Sequence, residues 1–149
     1  MRPLIRRAQP GDAPEVAELL VELGYPENEA VGVRRRIELW AGVPDGDVLV
    51  AELDGRVVGV IAVAVVPYFE RSGHWARLVA LVVGADVRRR GIARRLVAAA
   101  EEIAAERGCI AVEVTSARRR SESHAFYASL GYADRCGQSA RYMKELAGL

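Results

Sequence analysis

The sequence predicts an α/β fold, in which a mixed central sheet is flanked by helices within one domain over residues 1–149. The run Val57–Val66 is apolar throughout, which is typical of a strand in the middle of a sheet with both faces covered. Asp54-Gly55 precedes this run, and that dipeptide favours a tight type I′ hairpin. Apolar residues also recur at helical spacing near the start of the chain, at Val16, Leu19, Leu20 and Leu23.

The elements are expected in the order β-α-α-β-β-β-α-β-α-β. Strands are predicted at Leu4–Arg7, Val48–Leu53, Arg56–Val66, Trp75–Val83, Cys109–Thr115 and Tyr132–Glu145, the last as one strand or a bent pair. Helices are predicted from Asp12 to Gly24, over Glu27–Trp40, over Gly91–Arg107 and over Ser121–Leu130.

Local signals support each helix. Asp12 and Glu15 have the spacing of a capping box at the first helix start. The second helix turns Val33, Ile37 and Trp40 inward. The third has one apolar face and ends at a glycine, with the residues Ile92, Leu96, Ala99, Ala100, Ile103 and Gly108. Gly131 closes the fourth.

Composition and charge exclude several classes of protein. Hydrophobic residues make up 51% of the 149 and charged residues 28%, which argues against disorder. No apolar run reaches the roughly 18 residues needed to span a bilayer, and Met1–Arg6 lacks the apolar stretch of a signal peptide. We therefore expect a cytoplasmic protein. A net charge of +1 favours neither nucleic acid nor membrane, and the two cysteines match no metal motif.

The most informative segment is Arg88–Ala93, which lies between a predicted strand and a predicted helix. A helix N-terminus presents unpaired N–H groups and a positive dipole end, and both suit a phosphate. Gly91 lets the backbone approach an anion, and the arginines add charge-assisted hydrogen bonds. Gly-Lys-Ser/Thr of a Walker loop is missing, as are two glycines of a Rossmann fingerprint. On this segment alone, a basic turn that merely caps a helix remains an alternative.

A second segment, His124–Tyr132, reads His-Ala-Phe-Tyr-Ala-Ser-Leu-Gly-Tyr. Arg88, Gly91 and Ala93 resemble the Arg/Gln-x-x-Gly-x-Gly/Ala motif of the Gcn5-related N-acetyltransferase (GNAT) superfamily. The downstream segment is similar to that superfamily's A-x-F-Y-x-x-L-G-F/Y ending. The element order also matches from Leu4 to Glu145, so the resemblance covers essentially the whole chain.

The resemblance implies acetyl-CoA as co-substrate and no metal. It assigns cofactor binding to the end of the strand and to the turn and helix start, namely Leu81, Val82, Val83, Arg88, Arg89, Arg90, Gly91, Ile92, Ala93 and Arg94. One N–H of the strand would polarise the thioester carbonyl. Tyr127 would face the sulfur, where a phenol of pKa near 10 can protonate a thiolate whose own pKa is near 8.5.

One part of the family pattern is missing, because Trp75–Val83 contains no acid to deprotonate the attacking amine. Arg77 and Val79 occupy the positions where an acid is expected. His124, three residues before Tyr127, has an unperturbed pKa near 6.5 that suits a general base. Glu113, Glu70 and a water chain are the alternatives.

The sequence therefore predicts an N-acetyltransferase that transfers an acetyl group to a primary amine of a small molecule or peptide by direct attack in a ternary complex. A catalytically silent acyl-CoA-binding regulatory module is the alternative that the missing acid keeps open. Arg118–Arg120 would lie near the cofactor's 3′-phosphate, near an acidic substrate or in solvent. Relatives of this kind often pair through sheet edges, so a homodimer is expected.

Overall fold

The computed structural model describes residues 2–115 and 121–147. They form two compact units, Met1–Thr115 and Ser116–Leu149, and each is described by itself. The first unit holds strands β1 (Leu4–Arg7), β2 (Gly46–Leu53), β3 (Arg56–Pro67), β4 (His74–Val83) and β5 (Cys109–Val114), with helices α1 (Ala13–Leu23), α2 (Ala30–Ala41) and α3 (Ile92–Glu106). The second unit holds α4 (Ser121–Ser129).

The five strands form one sheet in the order β1-β2-β3-β4-β5. The pairs β1–β2, β2–β3 and β3–β4 are antiparallel, whereas β4–β5 is parallel. The helix α3 makes the crossover that a parallel pair requires. The predicted mixed sheet with flanking helices is confirmed.

The hairpin between β2 and β3 turns through Asp54 and Gly55, whose φ angles are 52° and 77°. Two successive positive φ angles define the type I′ turn, whose twist matches that of the paired strands. The hairpin prediction is confirmed.

The central strand β3 is covered on both faces. Val60 belongs to a buried cluster with Val16 and Leu19 of α1 and Val33 of α2. Neighbouring Gly59 points to the other face, where a Cβ atom would lie 3.0 Å from Leu96 Cδ1 of α3. The apolar run of β3 is therefore buried within the chain itself and gives no support to a dimer, which stays a prediction.

The predicted capping box at the start of α1 is wrong. The Asp12 carboxylate accepts 2.8 and 2.9 Å hydrogen bonds from both terminal nitrogens of Arg6, and a 2.7 Å bond from the Gln9 backbone N–H. Glu15 reaches away from the helix and accepts the backbone N–H of Val57 at 2.9 Å. The Asp12 and Glu15 side chains therefore form hydrogen bonds with groups outside the helix instead of capping its first turn.

The predicted strand over Tyr132–Glu145 is also wrong, because the structure forms no strand in the described residues of that segment. Its backbone bonds locally instead. The Asp134 carboxylate accepts the Cys136 N–H at 2.9 Å, and the Gln138 N–H donates to the Arg135 carbonyl at 2.9 Å. Short polar side chains offer the backbone such alternatives to a ladder.

No helix in the described part of the chain is long and apolar enough to cross a membrane.

We expect Asp12→Asn to lower the free energy of unfolding by about 2–3 kcal/mol at pH 7, because charged hydrogen bonds to a largely buried carboxylate are lost. The Asp12 side chain is 10% exposed. Arg6 holds the pKa of the Asp12 carboxyl below its usual range, with help from the Gln9 N–H and against the effect of burial. A lowered pKa stabilises the fold above the unfolded value near 4, and the stabilisation disappears as pH falls through the folded value.

Urea titrations of both proteins at several pH values measure the effect. Their difference in stability should be constant above about pH 5 and shrink below about pH 4. The control is Glu38→Gln, which breaks the exposed pair with Arg34 and should cost less than about 1 kcal/mol. A difference between wild type and Asp12→Asn that persists undiminished in acid would contradict the assignment.

Candidate functional site

The connection from β4 to α3 is an ordered turn. The Gly84 N–H donates to the Val58 carbonyl at 2.8 Å, and a 3-10 turn follows at Ala85–Val87. Arg89 and Gly91 then take left-handed backbone conformations, with φ angles of 65° and 76°. Left-handed residues within a tight turn are a feature of the backbone concavities that bind anions.

The N-terminus of α3 begins directly after this turn. The first bond of the helix runs from the Arg95 N–H to the Gly91 carbonyl at 3.1 Å. The N–H groups of Ile92, Ala93 and Arg94 therefore belong to the first turn, which an α-helix leaves unpaired. A Cβ atom on Gly91 would meet no atom within 4 Å. Glycine is thus favoured at this position by its positive φ, and open space lies beside it.

The turn carries a surplus of positive charge. Asp86 pairs with Arg56 at 2.8 Å, and this partner lowers the pKa of the Asp86 carboxyl. Arg88 donates from Nε to the Val83 carbonyl at 3.3 Å, which ties the turn back to the end of β4. Within residues 2–115 and 121–147, no carboxylate forms an ion pair with the arginines of the turn, Arg88, Arg89, Arg90 and Arg94.

Strand β4 contains a β-bulge that the sequence did not reveal. Val60 of β3 faces Val82, whereas Ala62 faces Val79, so Ala80 and Leu81 together oppose one residue. Ala80 has a φ of 57°. The run Leu78–Val83 is apolar throughout, so it has no alternation of polar and apolar residues in which a one-residue slip could be detected.

The bulge coincides with the end of the parallel pairing. The last partners are Leu78 of β4 and Val114 of β5. From Val79 to Val83, β4 has no pairing with β5 in the described part of the chain. Apart from the Val83 carbonyl, which accepts the bond from Arg88, this stretch therefore keeps backbone N–H and C=O groups on the β5 side that can meet a ligand.

The structure brings the predicted cofactor residues together along one path from the end of β4 to the first turn of α3. Leu81 is half-buried, while Val82 and Val83 are buried. The arginines Arg88, Arg89, Arg90 and Arg94 are exposed, as is Gly91. Ile92 is only 2% exposed and anchors the helix in the core, and Ala93 is half-buried.

Arg77 and Glu113 form a pair that sequence reasoning had not joined. They are direct partners in the β4–β5 register. Arg77 Nη1 lies 2.6 Å from Glu113 Oε1, and Nη2 lies 3.0 Å from Thr115 Oγ1. Their spacing along the chain carries no signal, because only the parallel register decides which β5 residue lies beside Arg77.

The other two predicted site residues, His124 and Tyr127, lie on α4 in the second unit. Tyr127 is half-buried, and its ring makes edge contacts with Phe126 at 5.2 Å and Tyr132 at 5.7 Å between centroids. Burial raises the pKa of the Tyr127 phenol. His124 is exposed, and its spacing of three residues places it on the same side of the helix as Tyr127.

The structure says less about two other predicted site features, the possible base Glu70 and the arginine run Arg118–Arg120. Glu70 is exposed in the connection between β3 and β4. Arg118–Arg120 lies outside the described residues. No group of three potential metal-binding side chains occurs in residues 2–115 and 121–147.

A model of the acetyltransferase (GNAT) family matches residues 14–132. The chain belongs to the GNAT acetyltransferase family. This match includes both the basic turn and α4. No curated protein matches the sequence.

Solved structures are similar over nearly the full chain. A transcriptional regulator from Bacillus halodurans C-125 is 25% identical with a TM-score of 0.84, over 97% of this chain and 99% of that one. A putative acetyltransferase from Agrobacterium tumefaciens str. C58 is 26% identical with a TM-score of 0.83, over 95% and 99%. Glucosamine-6-phosphate N-acetyltransferase from Arabidopsis thaliana has the same fold at 21% identity and a TM-score of 0.82, over 97% and 100%.

Proposed function

We propose that residues 1–149 act as one N-acetyltransferase domain that transfers an acetyl group from acetyl-CoA to a primary amine. The observation that carries this proposal is the continuous path from the bulge at Ala80 to the first turn of α3. This path joins strand backbone that has no partner strand to a basic anion site. Acetyl-CoA requires both, because its long thioester arm is attached to a diphosphate. We also propose a cytoplasmic location and a homodimer.

Acetyl-CoA fits the residues present. When bound it supplies the activated acetyl group as a thioester. The N–H groups of Ile92, Ala93 and Arg94 and the arginines of the turn would hold the diphosphate by charge-assisted hydrogen bonds. The backbone of Leu81–Val83 would hold the pantetheine arm, with one N–H directed at the thioester carbonyl.

The reaction needs a base and an acid from the protein. In the ternary complex His124 takes one proton from the acceptor ammonium, and the neutral amine forms the new C–N bond as the C–S bond breaks. The nitrogen then releases a second proton to solvent, which leaves the neutral amide. Tyr127 donates its proton to the departing sulfur and recovers one from solvent. A phenol with an ordinary pKa near 10 is protonated at neutral pH and is available as a donor. Burial raises the pKa of Tyr127 further, so the protonated form is maintained.

The principal alternative is an acyl-CoA-binding module without catalysis. Strand β4 contains no acid, and this favours the alternative. Tyr127 lies in the family's second motif, and the leaving-group role proposed for it favours the enzyme, since a binding module needs no proton donor. Thiol release from acetyl-CoA across a panel of amines separates the two.

Gly91→Glu should abolish acetyl-CoA binding, because it puts a carboxylate into the open space beside the anion site. Gly91→Ala is the matched control. It has the same left-handed strain of about 1–2 kcal/mol but adds only a methyl group, so it should retain measurable affinity. Titration calorimetry gives the affinities, and thermal melts verify the fold. Equal affinity of Gly91→Glu and Gly91→Ala would refute the anion site.

Tyr127→Phe removes one hydroxyl and keeps the two ring contacts. Folding and acetyl-CoA affinity should hardly change, while turnover should fall by about 10²–10⁴-fold because a positioned acid is lost. Steady-state thiol release with a good acceptor measures this. Undiminished turnover would mean that Tyr127 serves packing and that the thiolate leaves unassisted.

His124→Ala tests the base. If His124 accepts the amine proton, the acidic limb that it contributes to the pH–rate profile should disappear in the variant. The profile of kcat/KM with a saturating concentration of acetyl-CoA provides the measurement. An acidic limb that survives in His124→Ala would transfer the role to Glu113, Glu70 or water.

A further inference from the structure

The Arg77–Glu113 pair lies at the edge of the gap between β4 and β5. Its two residues face each other one position before the final partners, Leu78 and Val114. Ala80, where the bulge begins, follows Arg77 by three residues. The pair therefore lies directly beside the point at which the gap begins.

The pair lies on the opposite face of the sheet from α3. Register partners share a face, and Gly46, Ala64, Arg77 and Glu113 are aligned across four strands. A Cβ atom on Gly46 would lie 3.0 Å from the Trp40 ring of α2, so this face is the one that α2 covers. The phosphate-binding turn leads into α3 on the other face. The acceptor and the co-substrate would therefore approach from opposite sides.

The contacts leave part of each side chain available. Arg77 uses Nη1 for Glu113 Oε1 and Nη2 for Thr115 Oγ1, which leaves further N–H donors on the guanidinium. Glu113 Oε2 has no hydrogen-bond partner in residues 2–115 and 121–147. The side chains of Arg77 and Glu113 are 38% and 54% exposed, so a solute can reach both.

Charge restricts what the pair would accept. Glu113 is the sole acid in the sequences of β4 and β5. Its charge is already balanced by Arg77, so these strands offer no surplus of carboxylates. Polyamines and aminoglycosides carry several positive charges and would leave most of them unpaired here. A molecule with one ammonium and one adjacent carboxylate would match a neighbouring carboxylate and guanidinium.

We propose that Arg77 and Glu113 select the acceptor, and that it is a small α-amino acid whose ammonium binds Glu113 and whose carboxylate binds Arg77. This inference rests on the proposed acetyltransferase function and names its substrate class. Arg77 is the specificity-determining residue, and Glu113 orients the amine next to the gap.

The experiment compares L-amino acids, the carboxamide of each, and spermidine as acceptors in thiol release. Wild type should prefer each amino acid to its carboxamide by about 10–100-fold in kcat/KM, as expected for a lost charged hydrogen bond. Arg77→Gln keeps a hydrogen-bonding side chain but removes the charge, so the ratio should fall to about one. Arg77→Lys keeps the positive charge but lacks the two-pronged guanidinium, so it should retain part of the preference for the amino acid over its carboxamide.

Two further variants separate recognition from folding. Glu113→Gln should raise KM for amino acid and carboxamide alike while their ratio persists, because only the ammonium loses its partner. Glu38→Gln removes a carboxylate of similar exposure from α2 and should leave every acceptor unchanged. A merely structural role for Arg77 would lower all rates together and leave the ratio intact, which would overturn the proposal, as would spermidine being the best acceptor.

Failure of the proposed function has a different signature. A wild-type protein that binds acetyl-CoA but releases no thiol with any amine refutes acetyl transfer. In that case, calorimetric titration of amino acids and their carboxamides in the presence of CoA still tests whether Arg77 and Glu113 bind an amino acid. Binding of an amino acid but not its carboxamide, lost in Arg77→Gln, supports the recognition site, and equal binding or none rejects it.

Discussion

The candidate site depends on where the parallel pairing of β4 and β5 stops. A parallel sheet satisfies its backbone groups only while both strands run side by side. After Leu78 and Val114 that condition ends, and the bulge at Ala80 redirects β4 by inserting one residue against β3. The strand remains fixed on its β3 side, while beyond Leu78 its other edge has no partner strand in the described residues. An extended ligand can bind along such a strand, because β3 holds the strand in place and the backbone groups on its other edge can form hydrogen bonds with the ligand.

The same chain uses arginine in two different ways around this gap. The arginines of the turn have no carboxylate partner in the described residues, so their charge is available to an anion. Arg77 is held by Glu113 and Thr115 and presents a fixed fork beside a balanced carboxylate. The arginines of the turn attract a phosphate through their unbalanced positive charge. The neutral pair of Arg77 and Glu113 instead selects a ligand by its shape and by the positions of its own positive and negative groups. The number of arginines in the sequence does not distinguish these two roles, because the roles differ in whether the fold places a carboxylate next to the arginine.

The elements predicted most accurately were those with strong local signals. Asp54-Gly55 needs positive φ angles that few other dipeptides accept, and the apolar run of β3 demands burial on both faces, so both features were predicted correctly. The capping box at Asp12 was wrong because Arg6 and Gln9 compete for the same carboxylate. The last strand was wrong because turns around Asp134 satisfy the backbone locally. In both cases, several groups that are close in the folded chain compete for one hydrogen-bonding group. A pattern of residues along the sequence does not show which of them will form the bond.

The sequence by itself determined the order of the elements from β1 to α4, the mixed sheet and the basic turn before α3. Periodicity, turn dipeptides and helix-start residues act over a few positions, so their physical effect is already present in the local chain. Only the tertiary structure decided the bulge at Ala80, the end of the β4–β5 ladder and the meeting of Arg77 with Glu113. The bulge depends on the register between β3 and β4, and the other two features depend on the register between β4 and β5, where Arg77 and Glu113 are 36 residues apart. A uniformly apolar strand allows more than one register until the helices on both faces select one.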